Sequence, residues 1–234
     1  AQHGQWTFRS DLKTEEDLWN NLRNIIEIRN KSELNDNMLT DSEFKRIRSE
    51  ILANTKTPFE AAKWLRGEKG KCSVVLERDN GLGRIELIIY SSIEKNGGFS
   101  SYEIVHQIAK NKSNLEERSR RFDITLLIGG LPIIQIELKT AIAKDGVKQA
   151  YYQIEKYIDE GTFSNTIFQT LQLYVMSNEQ TTRYMAAAPK GELQDKFMFG
   201  WRTRDNTRVE NINEFAKQVL NIPRAHELVS EYMI

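Results

Sequence analysis

Cysteine and histidine are scarce in this sequence of 234 residues. The single cysteine, Cys72, cannot form a disulfide within the chain, and no CxxC pair is present to hold zinc. The three histidines, His3, His106 and His226, lack the HxxH and HExxH spacings of known metal sites. We therefore expect a protein of a reducing compartment, the cytoplasm, and structural roles for the histidines.

Long hydrophobic runs and an excess of charge of one sign are also absent. The longest apolar stretches, such as residues 124–132, are far too short to cross a bilayer, so we expect no membrane partner. The 33 lysines and arginines balance 33 aspartates and glutamates, which gives a net charge of zero. Any binding of nucleic acid must then depend on local basic patches, and the balance argues against a small autonomous DNA-binding protein.

The apolar periodicity predicts helices first and a β-rich middle afterwards. Helices are predicted over residues 11–30, with Thr14 as N-cap, and over residues 41–52, 58–65, 147–160 and 211–220. Strands are predicted over residues 72–78, 84–90, 102–109, 121–128, 133–139, 171–177 and 184–188. These elements predict an α/β fold, a central mixed sheet flanked by helices. We place the main domain at 11–190, with 1–10 a leader or expression remnant and 191–234 a C-terminal extension.

The hairpin predicted over residues 121–139 carries the candidate chemistry. Side chains along a strand alternate between the two faces of a sheet, so Glu137 and Lys139 share one face. If the Gly-Gly-Leu-Pro turn centres near Gly130, Asp123 lies directly across from Glu137. The Cβ atoms of the two acidic residues would then be about 4.5–5.5 Å apart.

Two carboxylates opposed across a strand pair are destabilising unless something neutralises them. Mg²⁺ would do so, since it prefers oxygen ligands and fills its other positions with water and phosphate. Asp123 and Glu137 are therefore candidate metal ligands. Lys139 would stabilise charge on a phosphoryl transition state or help to deprotonate the attacking water. The alternative is that all three belong to a solvated polar face of an ordinary amphipathic hairpin.

A second pattern lies in the helix that follows the hairpin. Gln153 and Tyr157 are separated by four residues and therefore share one helix face. Together with the spacing Asp-x13-Glu-x-Lys, this pair resembles the PD-(D/E)xK nucleases, and in particular their branch with a QxxxY motif. Phe122 departs from the proline that the motif often has before its aspartate. By itself, a glutamine and tyrosine at this spacing would be typical of an ordinary helix surface.

Several further blocks resemble one family, the R subunit of type I restriction enzymes. The sequence of residues 121–139 is similar to its RPD, NGLP and IELK block, and residues 14–18, 149–157 and 174–178 follow in the family's order. The resemblance covers about residues 11–190. Gly129 replaces the asparagine of the family's turn, and the long gap after Lys139 leaves open whether Gln149 or Gln153 fills the motif position.

This resemblance implies a PD-(D/E)xK fold and a Mg²⁺-dependent endonuclease that hydrolyses phosphodiester bonds of double-stranded DNA. In that family the nuclease domain precedes an ATP-dependent DNA translocase motor and works with modification and specificity subunits. The sequence contains no GxxxxGK[ST] loop. We therefore expect an N-terminal fragment that can cut DNA but not translocate it, and that leaves ATP to the full-length enzyme.

Basic residues just before Asp123 are candidates for contacts with DNA phosphates, which position DNA without reading its sequence. They are Arg118, Arg120 and Arg121, with Lys110 and Lys112 upstream. A solvated polar loop is the alternative for this segment. The resemblance also implies that Glu15 or Glu16 could join the metal site, although acidic residues are favoured in any first helical turn. Two other functions stay open: a DNA-positioning or docking module with little cleavage alone, and a stand-alone repair nuclease.

Overall fold

A computed structural model describes residues 6–94, 100–109 and 121–232. The helices are α1 (Glu15–Arg29), α2 (Asp41–Asn54), α3 (Pro58–Arg66), α4 (Gly146–Asp159), α5 (Ile212–Val219) and α6 (Arg224–Glu227). The strands are β1 (Thr7–Phe8), β2 (Lys71–Glu77), β3 (Arg84–Ser91), β4 (Tyr102–Ala109), β5 (Arg121–Ile128), β6 (Leu131–Leu138), β7 (Leu173–Ser177), β8 (Thr182–Ala186), β9 (Trp201–Arg202) and β10 (Arg208–Val209). A 3-10 turn at Ile167–Thr170 precedes β7.

Each of the first three helices begins directly after a threonine that caps it. Thr14, Thr40 and Thr57 each accept a hydrogen bond from the backbone three residues later. In each case the acidic residue at that position returns a bond to the threonine backbone, which completes a capping box. The predicted helices at the N-terminal end of the chain are confirmed, with ends shifted by a few residues.

The centre of the fold is a six-stranded mixed sheet in the order β1-β4-β5-β6-β7-β8. Two neighbouring pairs, β1 with β4 and β6 with β7, are parallel, and the other three are antiparallel. The strands β2 and β3 form a separate hairpin, as do β9 and β10. The predicted α/β class with a central mixed sheet is confirmed, and it is compatible with a restriction endonuclease-like fold.

Helix α4 packs on β6 and β7 of this sheet, and α1 packs on the turn between β5 and β6 and on β3 of the neighbouring hairpin. The core includes Leu18, Leu22 and Ile26 of α1 and Ala150 and Ile154 of α4, all of them fully buried. In the part of the chain that the structure describes, no helix is both long and apolar enough to span a membrane.

The turn between β5 and β6 is shorter than the sequence predicted. Only Gly129 and Gly130 form it, both with positive φ, the combination that a two-residue hairpin turn of type I′ requires. Strand β6 therefore begins at Leu131 rather than at residue 133, and an irregularity between Leu126 and Leu127 restores the register. A Cβ at position 130 would lie 2.9 Å from the Cδ1 of Ile25, so α1 packs directly on this turn.

Both ends of the described chain contribute to this structure. Thr7–Phe8 pair with β4 at the sheet edge, and the indole nitrogen of Trp6 donates to the carbonyl oxygen of Leu220 at 2.7 Å. Phe215 and Ala225 are fully buried in the core. These residues lie outside the predicted 11–190 domain, because strands of two residues have no readable periodicity and the helical signal after residue 190 stands alone.

Candidate active site

The opposed carboxylates lie where β5 and β6 stop pairing. The last residue pair in this direction is Ile124 with Ile136, so the next residues outward are Asp123 and Glu137, as the predicted register requires. The carboxylate of Asp123 accepts a hydrogen bond of 2.9 Å from the backbone N–H of Leu138. At the point where the metal site was predicted, this side-chain hydrogen bond therefore replaces the backbone hydrogen bonds between the two strands.

The side chain of Glu137 is fully buried. One oxygen, Oε1, accepts a hydrogen bond of 3.0 Å from the amide of Gln135. The other, Oε2, meets no N–H or O–H donor among the described residues, and a hydrogen bond between Glu137 and Asp123 forms only when one of the two acids carries a proton. Burial, and after it the negative charge of Asp123, raise the pKa of Glu137 to about 8, against the opposing effect of Lys139.

A chain of buried polar groups leads to Glu137. The hydroxyl of Thr125 donates to Oε1 of Gln135 at 2.7 Å, and the amide of Gln135 donates in turn to Glu137. Thr125 and Gln135 are 1% and 0% exposed, so they are hydrogen-bonded inside the protein rather than solvated. Sequence reasoning missed this role, although alternation along the two strands already places both residues on the face of the carboxylates.

Lys139 is connected to the helix α4. Its ammonium group donates to Oε1 of Gln153, whose amide donates to the hydroxyl of Tyr157. That hydroxyl also donates to the carbonyl oxygen of Arg121 at 3.3 Å. Gln149, by contrast, is exposed, and its amide donates to the carbonyl of Lys144. Of the two glutamines considered for the QxxxY position, the structure brings Gln153 to the candidate site.

Phe122, which departs from the motif's proline, belongs to a buried aromatic cluster. Its ring centroid lies 5.2 Å from that of Tyr157, 5.4 Å from that of Phe163 and 4.6 Å from that of Phe168. Edge-on contacts of this kind hold Tyr157 against the strand that carries Asp123. The bulky residue therefore helps to fix α4 next to the hairpin.

The first turn of α4 approaches the site closely. A Cβ at Gly146 would lie 2.8 Å from the Cβ of Asn178 and 3.3 Å from the Cβ of Lys139. Any side chain at this position would push α4 away from β6 and from the turn after β7. This constraint has no local pattern along the chain, because it depends on residues that are far apart in sequence.

The structure does not bring the predicted glutamates of α1 to the carboxylate pair. Glu15 accepts hydrogen bonds from the indole of Trp19 and the backbone N–H of Ile167, and Glu16 pairs with Arg48 at 3.0 Å. Within residues 6–94, 100–109 and 121–232, no group of three histidine, cysteine or acidic side chains is placed to hold a metal.

Most of the basic residues that were predicted to contact DNA phosphates lie outside the described residues. Arg121 is exposed at the start of β5. Arg118, Arg120, Lys110 and Lys112 lie outside the described residues.

Asp123 and Glu137 can still hold a divalent ion between them. The unpartnered oxygen of Glu137 faces no donor in the described chain, and a neighbouring carboxylate makes its ionisation unfavourable. A divalent cation would remove both penalties at once. Two protein carboxylates are a sufficient donor set for Mg²⁺, which usually keeps several waters and takes further oxygens from phosphate.

Comparison with known proteins points to one family. A family model described as "Type I restriction enzyme R protein N terminus" matches residues 2–192. The endonuclease subunit of a type I restriction enzyme from Staphylococcus saprophyticus is 31% identical over 225 residues, which are 95% of this chain and 22% of that protein. The endonuclease subunit of EcoprrI from Escherichia coli is 37% identical over 113 residues, 47% of this chain and 35% of that protein. This chain thus spans about a fifth of the length of the Staphylococcus relatives that it matches.

Proposed function

Since this chain belongs to the family of type I restriction enzyme R protein N termini, we propose that it is a Mg²⁺-dependent endonuclease domain that hydrolyses phosphodiester bonds of double-stranded DNA. The observation that carries the proposal is the buried Glu137, which faces Asp123 with one oxygen unpartnered in the described chain and Lys139 nearby. In this setting an ionised Glu137 would destabilise the fold, and a bound cation would remove that cost as a proton does.

In this proposal Asp123 and Glu137 hold the ion, and Mg²⁺, when bound, activates water and polarises the scissile phosphate. Gln135 keeps the carboxylate of Glu137 in one orientation, so that its second oxygen is available to a ligand. Asp123 is held by the N–H of Leu138, which fixes the carboxylate at the end of the paired strands.

Lys139 supplies a positive charge beside this pair. The ammonium is directed by Gln153, which is in turn held by Tyr157 and through it by the backbone of Arg121. Such a preorganised cation stabilises the negative charge that develops on phosphate oxygens, and a lysine can also take a proton from the attacking water. Gln153 and Tyr157 therefore act on the reaction through the position of Lys139.

We propose that Arg121, with Arg118 and Arg120, contacts phosphates of the bound duplex next to Asp123. The remaining partners follow from the relatives, which are named as endonuclease subunits of type I restriction enzymes. We propose that the whole protein carries an ATP-dependent motor and assembles with modification and specificity subunits in the cytoplasm. The chain would then cut DNA where those partners bring it.

The test replaces Asp123 or Lys139 by alanine in the whole subunit, reconstituted with its partners on plasmid DNA with Mg²⁺ and ATP. Both changes should abolish cleavage while ATP hydrolysis continues. A matched control is Lys156→Ala, because Lys156 lies on α4 but is exposed and pairs only with Glu160 in the described structure. Cleavage at the unaltered rate by either site variant would refute the assignment. So would a crystal soaked in Mn²⁺ in which the ion lies away from the carboxylate pair.

A further inference from the structure

A cavity with an excess of positive charge lies beyond the edge of the sheet. It has a volume of about 360 Å³ and lies between the β9–β10 hairpin and the end of α5. Its lining includes Arg202, Arg204 and Arg224 beside Trp201, Gln218 and Asn221. Among the described residues that line it, none is acidic. We call it the arginine pocket.

The arginines of this pocket are held by neutral groups. The guanidinium of Arg202 donates to the backbone oxygen of Asn206 at 2.8 Å, and that of Arg224 lies over the ring of Trp201 at 5.6 Å. Arg204 is exposed, and within the described chain none of the three forms an ion pair. Two of the three charges are therefore fixed in place without being neutralised, which is the arrangement that an external anion requires.

The one acidic residue at the tip of this hairpin is occupied elsewhere. The carboxylate of Asp205 accepts hydrogen bonds from the hydroxyls of Thr203 and Thr207. These bonds, that from Thr203 first, lower the pKa of Asp205, so it stays ionised but turned to its own loop. Within the described chain Asp205 therefore forms no ion pair with the pocket arginines, and the lining itself holds three positive charges and no negative one.

The pocket belongs to the part of the chain that follows the Phe199 segment, which continues the sheet beyond β8. Tyr184 of β8 exchanges two backbone hydrogen bonds with Phe199, which brings the β9–β10 hairpin to the sheet edge. The start of α5, the end away from the pocket, is tied to the turn after β7, because the N–H of Ile212 donates to the carbonyl oxygen of Glu179. From β6 to the Phe199 segment is three strand spacings, about 15 Å. The pocket is formed by residues after this segment, and phosphates about 15 Å apart or somewhat farther still fall within one turn of a DNA duplex, about 34 Å long.

We propose that the arginine pocket binds a phosphate of the DNA backbone several base pairs away from the one that is cut. This inference rests on the proposed function, and it adds a site outside the catalytic hairpin. Arginine suits phosphate because its planar group donates two parallel hydrogen bonds. Gln218 and Asn221 supply the neutral polar groups that commonly accompany arginine in backbone contacts. The pocket positions the duplex and reads no sequence.

The test measures binding of a fluorescent duplex of random sequence to the whole subunit as a function of salt, without ATP and with Ca²⁺ in place of Mg²⁺. The variant replaces Arg202, Arg204 and Arg224 by glutamine. We expect the dissociation constant to rise at least about tenfold at low salt. The slope of log K against log salt should fall by about 0.9 for each phosphate contact that is lost. Because the three side chains are exposed, the urea midpoint should not change.

A control variant removes three exposed lysines from α2, α3 and the turn before β2, through Lys45→Gln, Lys63→Gln and Lys69→Gln. This variant loses three positive charges, as the arginine variant does, but it should change the slope of log K against log salt much less. An arginine variant that binds the duplex as the unaltered chain does would overturn the proposal, as would a chain that binds no duplex at all. If the substitutions weaken binding of poly-glutamate but not of duplex, the pocket receives an acidic protein surface and the proposal is wrong. Asp123→Ala separates the two ideas, since it should lose cleavage in the reconstituted complex and keep this binding.

Discussion

The buried carboxylate of Glu137 should make the metal-free protein less stable as the pH rises. Its pKa of about 8 in the fold exceeds the ordinary value of 4.5, so the folded chain holds this proton more tightly than the unfolded chain. The stability that the proton gives is fully present below pH 4.5 and is lost as the pH rises to about 8. Each pKa unit corresponds to about 1.4 kcal/mol, so the loss approaches about 3 kcal/mol at pH 7 and about 5 kcal/mol above pH 8.

The assay compares the unaltered chain with Glu137→Gln by urea unfolding in EDTA between pH 4.5 and 8, followed by tryptophan fluorescence. The amide keeps the size of the side chain and cannot ionise. The difference in free energy of unfolding should therefore shift in favour of the variant by about 3 kcal/mol between pH 4.5 and 7. Added Mg²⁺ should restore stability to the unaltered chain and not to the variant, because ligand binding stabilises only the state that binds it.

Glu43→Gln is a matched control, for which the opposite dependence of stability on pH is expected. Glu43 is as fully buried as Glu137, but it pairs with Arg78 at 2.7 Å and accepts from the backbone N–H of Asp79. Although burial raises the pKa of Glu43, these bonds lower it overall, so its contribution is present above pH 4.5 and fades as the pH falls. Removing this charge should destabilise the fold at pH 7 by about 3–5 kcal/mol. A pH-independent difference between Glu137→Gln and the unaltered chain would refute the reasoning for the site.

Two further predictions concern residues that position the site. Gln135→Leu should leave the carboxylate of Glu137 without its hydrogen-bond donor, and calorimetry should show Mn²⁺ binding weakened about tenfold. Thr125→Ser keeps the hydroxyl that holds Gln135 and should change the affinity for Mn²⁺ little. Equal Mn²⁺ affinity in Gln135→Leu would contradict the role. Gly146→Ala should destabilise the fold by about 1–3 kcal/mol and reduce cleavage, because its methyl group would lie 2.8 Å from the Cβ of Asn178. Gly200→Ala is the matched control, because its methyl group would meet only the end of the flexible Arg183 side chain, at 3.3 Å, and a similar loss of cleavage there would show that close packing is not the cause.

Local signals in the sequence predicted the elements that carry the site. Strand β5 has the predicted bounds, residues 121–128, because a run of β-branched and apolar residues ends at two glycines. Alternation along β5 and β6 then sufficed to oppose Asp123 and Glu137, since strand register depends only on the turn and the period of two. The helical spacing of Gln153 and Tyr157 placed them on one face in the same way.

Burial and long-range contacts could not be predicted from such signals. Alternation put Gln135 on the carboxylate face but could not distinguish a solvated side chain from one that is fully buried and hydrogen-bonded. Gly146 and Asn178 are far apart along the chain, so no local sequence pattern could predict their close approach. The arginine pocket likewise depends on α5 meeting a hairpin of two-residue strands, for which no periodicity exists.

A comparison of Glu43 with Glu137 distinguishes a buried acid that stabilises the fold from one that is suited to bind a ligand. Both are fully buried carboxylates, and desolvation raises the pKa of each. Around Glu43 the fold supplies a guanidinium and backbone donors, which compensate for the lost hydration. Around Glu137 it supplies one amide, the charge of Lys139 and a second carboxylate, and the amide is itself held by Thr125. This arrangement holds an acid in position while disfavouring its ionisation, so it is stable with the proton in place. A bound cation would take the place of that proton, and this is the reasoning behind the proposed metal-dependent chemistry.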